Sequence, residues 1–173
     1  MPRITLPDGS ERLYDAPTSP AQVAADIGPG LAKAALGATI DGELVDVTRP
    51  IDRDCELSLV TATTREGEID QQALFLLRHS AAHVMAEAIT NLFPGVQLVY
   101  GPPVDQGFYY DMAFPAGQIP SADDFTKIEQ EMARIVAEDR PLTRFEMNAA
   151  DGMAKANSEG SKYKIDNAQR ACD

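Results

Sequence analysis

The chain has 173 residues, 44% of them apolar, and its 27 acidic and 15 basic residues give a net charge of -12. This length allows one ordinary domain or two small ones, and the apolar content is enough for packed cores, which argues against a disordered chain. The negative charge excludes long-range attraction of the whole chain to nucleic acid, so any contact with RNA must be local.

The cysteines and the apolar runs narrow the class of protein further. Cys55 and Cys172 lie far apart and form no C-x-x-C motif, so neither a disulfide framework nor a cysteine zinc site is expected. The first ten residues lack the apolar core of a signal peptide, and the longest apolar run, residues 73–77, is too short to span a bilayer. We therefore expect a cytoplasmic protein that does not enter a membrane.

The first third of the chain begins with signals for a hairpin and a helix. Turn-forming residues at 7–10 separate two short runs with apolar members, which predicts a β-hairpin. Ser19 at the N-cap, Pro20 at the first helical position and Gln22 three residues after the cap form a capping box, and Gly28 is expected to end this helix. Its buried stripe is predicted to contain Val23 and Ile27.

A second hairpin and a further strand are expected before residue 62. After a short helical piece at residues 31–36, Asp41 and Gly42 suit a two-residue turn between strands. The alternation that starts at Cys55 is typical of a half-buried strand. The resulting order of strand, strand, helix, strand, strand, strand favours a sheet that covers one helix.

The remaining elements are predicted by periodicity and by caps. The polar segment 63–69 is taken as a linker, a long helix is expected over residues 70–93, and residues 96–114 suggest two strands joined by a loop rich in Pro and Gly. The cap at Ser121 and Asp124 predicts a further helix, with an apolar stripe of Phe125, Ile128, Met132, Ile135 and Val136. A strand is expected at 142–147, followed by a short helix capped by Asn148 and a strand at 162–165.

Both histidines of the chain, His79 and His83, lie four residues apart on the long predicted helix. At about 100° per residue, they lie opposite an apolar stripe and among small side chains. The predicted stripe contains Leu74, Leu77, Ala81, Val84, Met85, Ala88 and Leu92, and the small neighbours of the histidines are Ala82, Ala86 and Thr90. A solvated face would carry Lys and Glu, so we expect this second face of the helix to line a cleft.

Two other interpretations of the histidine pair stay open. Two exposed or hydrogen-bonded histidines without a function would have the same spacing. The spacing also fits two ligands of a zinc ion, but a site needs at least a third ligand. Ser80 stands where the metalloprotease motif H-E-x-x-H has its glutamate, so that motif is absent.

Four stretches of the chain, taken in order, resemble one enzyme family. "ITLPDGSERLYD" and the residues that follow it, up to Ile51, resemble the TGS domain, the β-grasp module at the front of bacterial threonyl-tRNA synthetases. "LRHSAAHVMAEAITNLFPG", "YGPPVDQGFYYD" and "IEQEMARIVAEDRPLTRFEM" resemble the editing domain of the same enzymes. The resemblance implies an α+β chain with a β-grasp (ubiquitin-like) TGS domain at residues 1–62, a linker at 63–69 and the first part of an editing domain at 70–173.

The resemblance also implies a site. His79, His83 and Lys164 match family residues of the editing cleft and are expected to be catalytic, with Gly101 and Tyr110 in contact with the substrate and no metal ion. Cys172 is not followed by the Gly-Pro-His of the family, so it is not given the role of the family cysteine.

The function implied is that of the front fragment of a threonine-tRNA ligase. The parent enzyme attaches threonine to tRNA(Thr) with ATP and hydrolyses mischarged Ser-tRNA(Thr) in this region. No class II synthetase motif occurs in the chain, so ATP, Mg²⁺ and Zn²⁺ are expected only in the absent catalytic domain, and the fragment alone is expected to be inactive. We also expect contact with the tRNA acceptor end in the full enzyme, weak or no RNA binding by the fragment, a monomeric fragment and a homodimeric parent.

The main alternative is a non-catalytic β-grasp interaction module, in which residues 1–62 bind RNA or a protein partner. Asp41, Glu43 and Asp46 are expected to face water in either case. A nucleotide-processing enzyme has little support, because residues 160–164 do not form a G-x-x-x-x-G-K-[ST] phosphate loop.

Overall fold

A computed structural model describes residues 1–143 and 145–172, except for the side chains of Ala171 and Cys172. The chain divides into two compact units, Met1–Leu77 and Arg78–Asp173. This division lies inside a helix and not in the segment 63–69. The domain bounds 1–62, 63–69 and 70–173 stay a prediction.

The first unit contains a five-stranded mixed sheet in the order β2-β1-β5-β3-β4. The neighbours β1 and β5 are parallel, and the other pairs are antiparallel. The strands are β1 Arg3–Thr5, β2 Glu11–Leu13, β3 Gly37–Ile40, β4 Glu43–Val45 and β5 Cys55–Val60, and the helices are α1 Pro20–Ile27 and α2 Pro29–Ala34. This is the β-grasp arrangement expected from the sequence, and the α+β class is confirmed.

The predicted two-residue turn between β3 and β4 is present. Asp41 and Gly42 have positive φ angles of 50° and 85°, as a type I′ hairpin turn requires. The Asp41 carboxylate also accepts a hydrogen bond from the Glu56 N–H at 2.9 Å and pairs with Arg53 at 2.7 Å. These two interactions lower the pKa of Asp41, so its role is to tie the turn to β5 and not only to face water.

Helix α1 begins at the predicted cap, but only half of the capping box forms. The Ser19 hydroxyl accepts the Gln22 N–H at 3.3 Å. The Gln22 side chain donates to Asp26 at 2.8 Å and does not return to the cap. Because Asp26 lies one turn further along the helix, it offers the amide a charged acceptor that the capping-box interpretation did not consider.

The core of the first unit lies between the sheet and α1. Its fully or nearly buried members are Ile4, Val23, Ala38, Ile51, Cys55 and Leu57. Val23 is buried as predicted, whereas Ile27 at the end of the helix is exposed. Burial raises the pKa of the Cys55 thiol, which favours its protonated form.

The segment expected to be a linker forms a compact turn. Thr63 and Ile69 pair as an antiparallel bridge, and the Thr64 N–H donates to the Glu68 carbonyl at 2.8 Å. Asp70 then caps the long helix, because its carboxylate accepts the N–H groups of residues 72 and 73 at 2.8 and 3.0 Å.

The described residues after Asp70 form four helices and two small sheets. The helices are α3 Gln71–Leu92, α4 Phe125–Ala137, α5 Ala149–Ser158 and α6 Lys162–Cys172, with a 3-10 turn at Ala122–Asp124 before α4. The strands are β6 Gln97–Tyr100, β7 Pro103–Val104, β8 Gly107–Phe108 and β9 Asp111–Ala113. Strand β6 pairs with β9, and the loop between them contains the β7-β8 hairpin, so this region has two more strands than expected.

The core of the second unit joins α3, α4 and the β6-β9 pair. Its buried members are Ala88, Ile89, Val96, Ile128 and Ile135, and partly buried side chains, among them Met112 and Met132, pack against them. Phe93 and Phe114 add an edge-to-face contact with ring centroids 5.8 Å apart. The predicted stripe of α4 is confirmed at Ile128 and Ile135, but Phe125 and Val136 are exposed.

Polar side chains also connect α3 and α4. Asn91 on α3 donates to the Glu131 carboxylate on α4 at 2.8 Å, and Arg134 donates to the same carboxylate at 2.7 Å. Hydrogen bonds from Arg134 and then from Asn91 lower the pKa of Glu131 to about 2. Glu131 therefore stays ionised at neutral pH.

Two of the predicted strands are wrong, and the helix between them is confirmed. The described residues of the segment 142–147 form no strand, and Arg144 lies outside the described residues. Leu142 is 97% exposed and Phe145 is 62% exposed, so the apolar residues that suggested a strand have no neighbouring strand to pair with among the described residues. The α5 cap is present, because the Asn148 side chain accepts the Asp151 N–H at 2.9 Å.

The strand expected at 162–165 is the first turn of α6. Ser161 lies directly before this helix, and its hydroxyl accepts the Lys164 N–H at 3.4 Å. The Ala, Gln and Arg residues that follow are good helix formers and extend the helix. The short apolar alternation was a weaker signal than the cap at Ser161, which the sequence interpretation missed.

Candidate active site

The histidine pair lies on α3, as predicted. One helical turn separates His79 from His83, and their rings pack with centroids 4.8 Å apart and planes tilted by 34°. Both side chains are exposed. The structure therefore places two adjacent imidazoles at the surface of the second unit.

The burial of the residues around the histidine pair differs from the expected pattern. Ala82 and Ala86 are 0% and 2% exposed, so they belong to the buried face and do not border an open one. Leu77, expected in the core, is 65% exposed. At about 100° per residue, the buried face extends to Ala86, and the histidines lie at its edge and not opposite it.

The physical reason is the size of the alanines. Small side chains let a neighbouring chain segment approach a helix closely, so alanines count as core residues even without a large apolar group. Thr90, one turn after Ala86, is exposed, and its hydroxyl donates to the Ala86 carbonyl at 2.7 Å. The predicted stripe already included Ala81 and Ala88 but left Ala82 and Ala86 on the histidine face, because an alanine is small enough for either face.

A cleft of about 440 Å³ opens beside the histidines. It brings together all five residues that the sequence singled out, from α3, from the segments around β6 and β9 and from α6. Its lining consists of His79, His83, Leu98, Val99, Tyr100, Gly101, Pro102, Pro103, Tyr110, Lys164 and Asn167.

Gly101 and Tyr110 reach the cleft through the β6-β9 pair. Tyr100 at the end of β6 pairs with Asp111 at the start of β9, so the residues next to them are brought together. A Cβ atom built on Gly101 would lie 2.4 Å from the Cδ2 atom of the Tyr110 ring. The glycine is therefore in direct contact with the tyrosine.

Lys164 reaches the cleft from α6, but its charge is already paired. Its Nζ atom lies 2.6 Å from the Glu159 carboxylate, and the hydrogen bond lowers the pKa of Glu159. The Asn167 amide donates to the Val99 carbonyl at 3.1 Å and so fixes α6 to β6. Glu159 and Asn167 were missed in the sequence, although Asn167 lies one helical turn after Lys164 and so shares its face.

The pKa of His83 depends on its surroundings and on the neighbouring imidazole. Partial burial lowers the pKa of His83, and the neighbouring His79 lowers it further, because two adjacent positive charges repel. His83 is therefore neutral at pH 7 and able to accept a proton.

Two other classes of feature, a metal site and a membrane-spanning helix, are absent from the part of the chain that the structure describes. No three His, Cys, Asp or Glu residues come together there in a way that could hold a metal ion. Within residues 1–143 and 145–172, no helix has the length and apolar character needed to cross a membrane. The side chain of Cys172 lies outside the described residues.

The first unit has a larger cleft, of about 560 Å³, that the sequence did not predict. It lies between the first hairpin turn, the ends of α1 and α2 and the residues after β5. Apolar groups such as Leu6 and Leu31 and the guanidinium groups of Arg12 and Arg65 contribute to its lining. It contains no histidine, cysteine or lysine.

Comparison with known proteins agrees with this architecture. Residues 2–61 match the model of the TGS domain family. The chain is 49% identical over 166 residues to the threonine–tRNA ligase of Paramagnetospirillum magneticum. The matched residues make up 96% of this chain and 25% of the relative. Two further threonine–tRNA ligases, from Sphingopyxis alaskensis and Hahella chejuensis, are 48% and 43% identical over 96% of this chain and 24% and 25% of their own lengths.

The chain thus spans about a quarter of the length of the curated relatives it matches. The match begins in the TGS domain and continues through the residues of the histidine cleft, because it covers 96% of the chain. The chain is therefore similar to the N-terminal region of threonine–tRNA ligases, and it carries a TGS domain at residues 2–61.

Proposed function

We propose that the histidine cleft binds the aminoacylated 3′ end of tRNA(Thr) and hydrolyses serine that has been attached to it by mistake. One observation carries this proposal. A single cleft collects His79, His83, Gly101, Tyr110 and Lys164, although they come from separate segments of the chain. Two imidazoles and an ammonium group at one cleft are suited to ester hydrolysis.

A second site is needed because serine and threonine differ by one methyl group. Burying a methyl group in a binding pocket favours threonine by only about 1–3 kcal/mol, which is too little for accurate ligation. A hydrolytic cleft that is too narrow for the larger amino acid solves this problem by exclusion. The proposal assigns that exclusion to the walls of the histidine cleft.

The reaction needs a base, and His83 is the best candidate. A water molecule attacks the carbonyl carbon of the ester while the neutral His83 ring accepts its proton. The ester bond breaks, the ribose oxygen leaves and takes a proton back from the imidazolium, and free serine and uncharged tRNA result. The pKa of His83 is lowered by burial and by His79, which keeps the ring neutral and ready to act.

Lys164 and His79 have supporting roles in the proposal. The ammonium group stabilises negative charge that develops on the carbonyl oxygen, once the bound ester competes with Glu159 for it. His79 packs against His83 and holds its ring at the cleft. The step includes no metal ion or cofactor.

The ligase reaction itself is assigned to the parts of the relatives that this chain does not match. In this proposal ATP, Mg²⁺ and Zn²⁺ act in those parts, and the tRNA acceptor end reaches the cleft from there. The isolated 173-residue chain is proposed to be a monomer, and the parent enzyme is proposed to be a homodimer in the cytoplasm.

The test is serine release by a ligase that has residues 1–173 as its N-terminal region. We expect the His79→Ala, His83→Ala double variant to hydrolyse Ser-tRNA(Thr) at least about 10²-fold more slowly, since both the base and its neighbour are lost. Threonine attachment by the same variant serves as the control and should not change. Unchanged serine release would contradict the proposal.

A further inference from the structure

We propose that Gly101 is a positioning residue that seats the Tyr110 ring against the backbone and so fixes one wall of the cleft. The family resemblance implied a direct contact between Gly101 and the substrate. The geometry points instead to an action through Tyr110. The consequence for catalysis rests on the proposed function, whereas the seating of the ring does not.

The space beside Gly101 is already filled. A Cβ atom there would lie 2.4 Å from Cδ2 and 2.5 Å from Cγ of Tyr110, and 2.8 Å from the Tyr109 carbonyl oxygen. Distances under about 3 Å between such atoms are strongly repulsive, so something would have to move. The ring therefore occupies the place that a side chain at residue 101 would need.

Neither obstacle can yield easily. The Cγ atom is bonded directly to the Cβ atom of Tyr110, so rotation of the ring about its own axis does not remove it, and only a change of χ1 would. The Tyr109 carbonyl belongs to the backbone next to β9. Any substitution at Gly101 must therefore displace either the tyrosine side chain or the chain that leads into β9.

The requirement at Gly101 is for space and not for an unusual backbone. The residue is absent from the glycines with positive φ, which include Gly95 and Gly107 on either side of it. An alanine could adopt its backbone conformation without strain. This separates Gly101 from its neighbours, whose substitution would be strained for conformational reasons.

The local strand geometry explains how the two residues meet. The register between β6 and β9 shifts between Leu98 and Tyr100, as in a β-bulge. A bulge bends a strand and redirects the side chains at its end, and bulges are common next to active sites. Here the chain leaving β6 is directed towards Tyr110, and both residues line the cleft that holds the histidines.

A displaced ring would change the cleft that the histidines share. Tyr110 lines the same cleft as His79 and His83, so its ring limits the room for an amino acid placed against them. Misplacement of a group by about 1 Å at a reacting centre can cost about 10²-fold in rate. Gly101 thereby controls the width of the cleft without touching the reacting atoms.

The direct test is NMR on the 173-residue chain. Because the Tyr110 ring lies against Gly101, the α-protons of Gly101 should show a ring-current shift. Tyr110→Leu should abolish that shift. No change in the Gly101 α-proton shifts on Tyr110→Leu would overturn the proposal. This measurement needs no substitution at Gly101, so it remains decisive if a Gly101 variant fails to fold.

Gly101→Ala is compared with Gly152→Ala as a matched control. Gly152 lies within α5. A Cβ atom added to Gly152 would lie 3.6 Å from the Met147 sulfur, which is an ordinary van der Waals distance. We expect Gly101→Ala to change the Tyr110 ring-proton shifts and Gly152→Ala to leave them unchanged. Equal changes in both variants would contradict a specific role for Gly101.

Kinetic measurements on the ligase distinguish a positioning role of Gly101 from a purely structural role. In the ligase, Gly101→Ala should lower kcat for serine release by about 10- to 100-fold, and the loss should be much smaller in a Tyr110→Leu background. Additive losses would mean that Gly101 acts on the substrate and not through the ring. If the ring moves but serine release is unchanged, the seating of the ring holds, and its effect on catalysis is contradicted; failure of the proposed function itself would instead appear as unchanged serine release in the His79→Ala, His83→Ala variant.

Discussion

The two units of the molecule differ in how deeply they bury the large apolar side chains of their cores, since Ile4 and Val23 of the first are 0% exposed and Ile89 and Ile128 of the second are 8% exposed. In Met1–Leu77, one closed core holds Ile4, Val23 and Ala38 with no exposed surface. In Arg78–Asp173, the cluster around α3 and α4 is buried, yet Leu142 and Phe145 are largely exposed. The first unit thus holds the most completely buried large side chains, although both units leave other apolar side chains at the surface, among them Leu13 and Ile69 in the first.

The two units therefore differ in role: the first supplies the more deeply buried core, and the second carries the candidate catalytic side chains. The β-grasp unit obtains its stability from a core that excludes side chains with reactive groups, apart from the protonated Cys55 thiol. The second unit exposes its titratable side chains at the edge of its core, where they can reach a ligand. Functional side chains in general lie on partly open surfaces held by a rigid scaffold.

The largest expected effect tests the closed core. Leu57→Ala removes a side chain that is 2% exposed and should lower the free energy of unfolding of the first unit by about 2–5 kcal/mol. Leu142→Ala removes a side chain of the same size that makes little contact, and should change stability by less than about 0.5 kcal/mol. Urea unfolding followed by circular dichroism measures both. Similar losses in the two variants would mean that the contrast between the units is wrong.

The sequence predicted the first unit well because its signals are local. The Asp41–Gly42 turn and the Ser19 cap each depend on two or three neighbouring residues, so their geometry can be derived without knowing the rest of the fold. The order of strands and helices along the chain followed from these signals, whereas the order of the strands within the sheet was not predicted. The Asp41–Arg53 pair was missed because it joins residues from different parts of the chain.

The candidate site was predicted less completely, for a physical reason. The helical position of His79 and His83 follows from spacing, but the burial of Ala82 and Ala86 depends on what packs against α3. That Lys164 lies in the same cleft came from family resemblance, and periodicity alone assigned its segment to a strand. The Lys164–Glu159 pair depends on the turn between α5 and α6, for which the sequence carried no recognised signal.

A second prediction concerns the electrostatic coupling of the two imidazoles. The pKa of His83 should lie below its usual value of 6.5, and His79→Ala should raise it, because only the contribution of burial remains. NMR titration of the imidazole protons measures both values, with Thr90→Ala as a control on the same helix. A His83 pKa that is insensitive to His79→Ala would show that the rings are not coupled.

The lowered pKa of His83 also makes the free energy of unfolding depend on pH. Since the pKa of His83 is lowered by folding, the folded unit binds fewer protons than the unfolded chain between its folded pKa and 6.5. Stability is therefore fully present above 6.5 and is lost as the pH falls through the folded pKa. We expect His83→Gln to remove that part of the pH dependence, as measured by thermal unfolding at pH values above and below about 6.5.

The smallest expected effect is on general RNA affinity. With a net charge of -12, the isolated chain should bind tRNA weakly even at low salt, because few phosphate contacts can release counterions. Filter binding at two salt concentrations checks this. Tight binding that persists at the higher salt concentration would show a specific RNA surface, and would favour the view that the TGS unit is the main binding module.

The most direct measurement of the central claim is ligand binding at the histidine cleft. A nonhydrolysable amide analogue of serine-esterified adenosine can be titrated into the isotopically labelled chain, with adenosine alone as the control. We expect the analogue to shift the imidazole signals of His79 and His83 and the ring signals of Tyr110, and the shifts to disappear in Lys164→Met. Shifts confined to residues 1–62, or none at the histidines at saturating ligand, would contradict the assignment of the cleft.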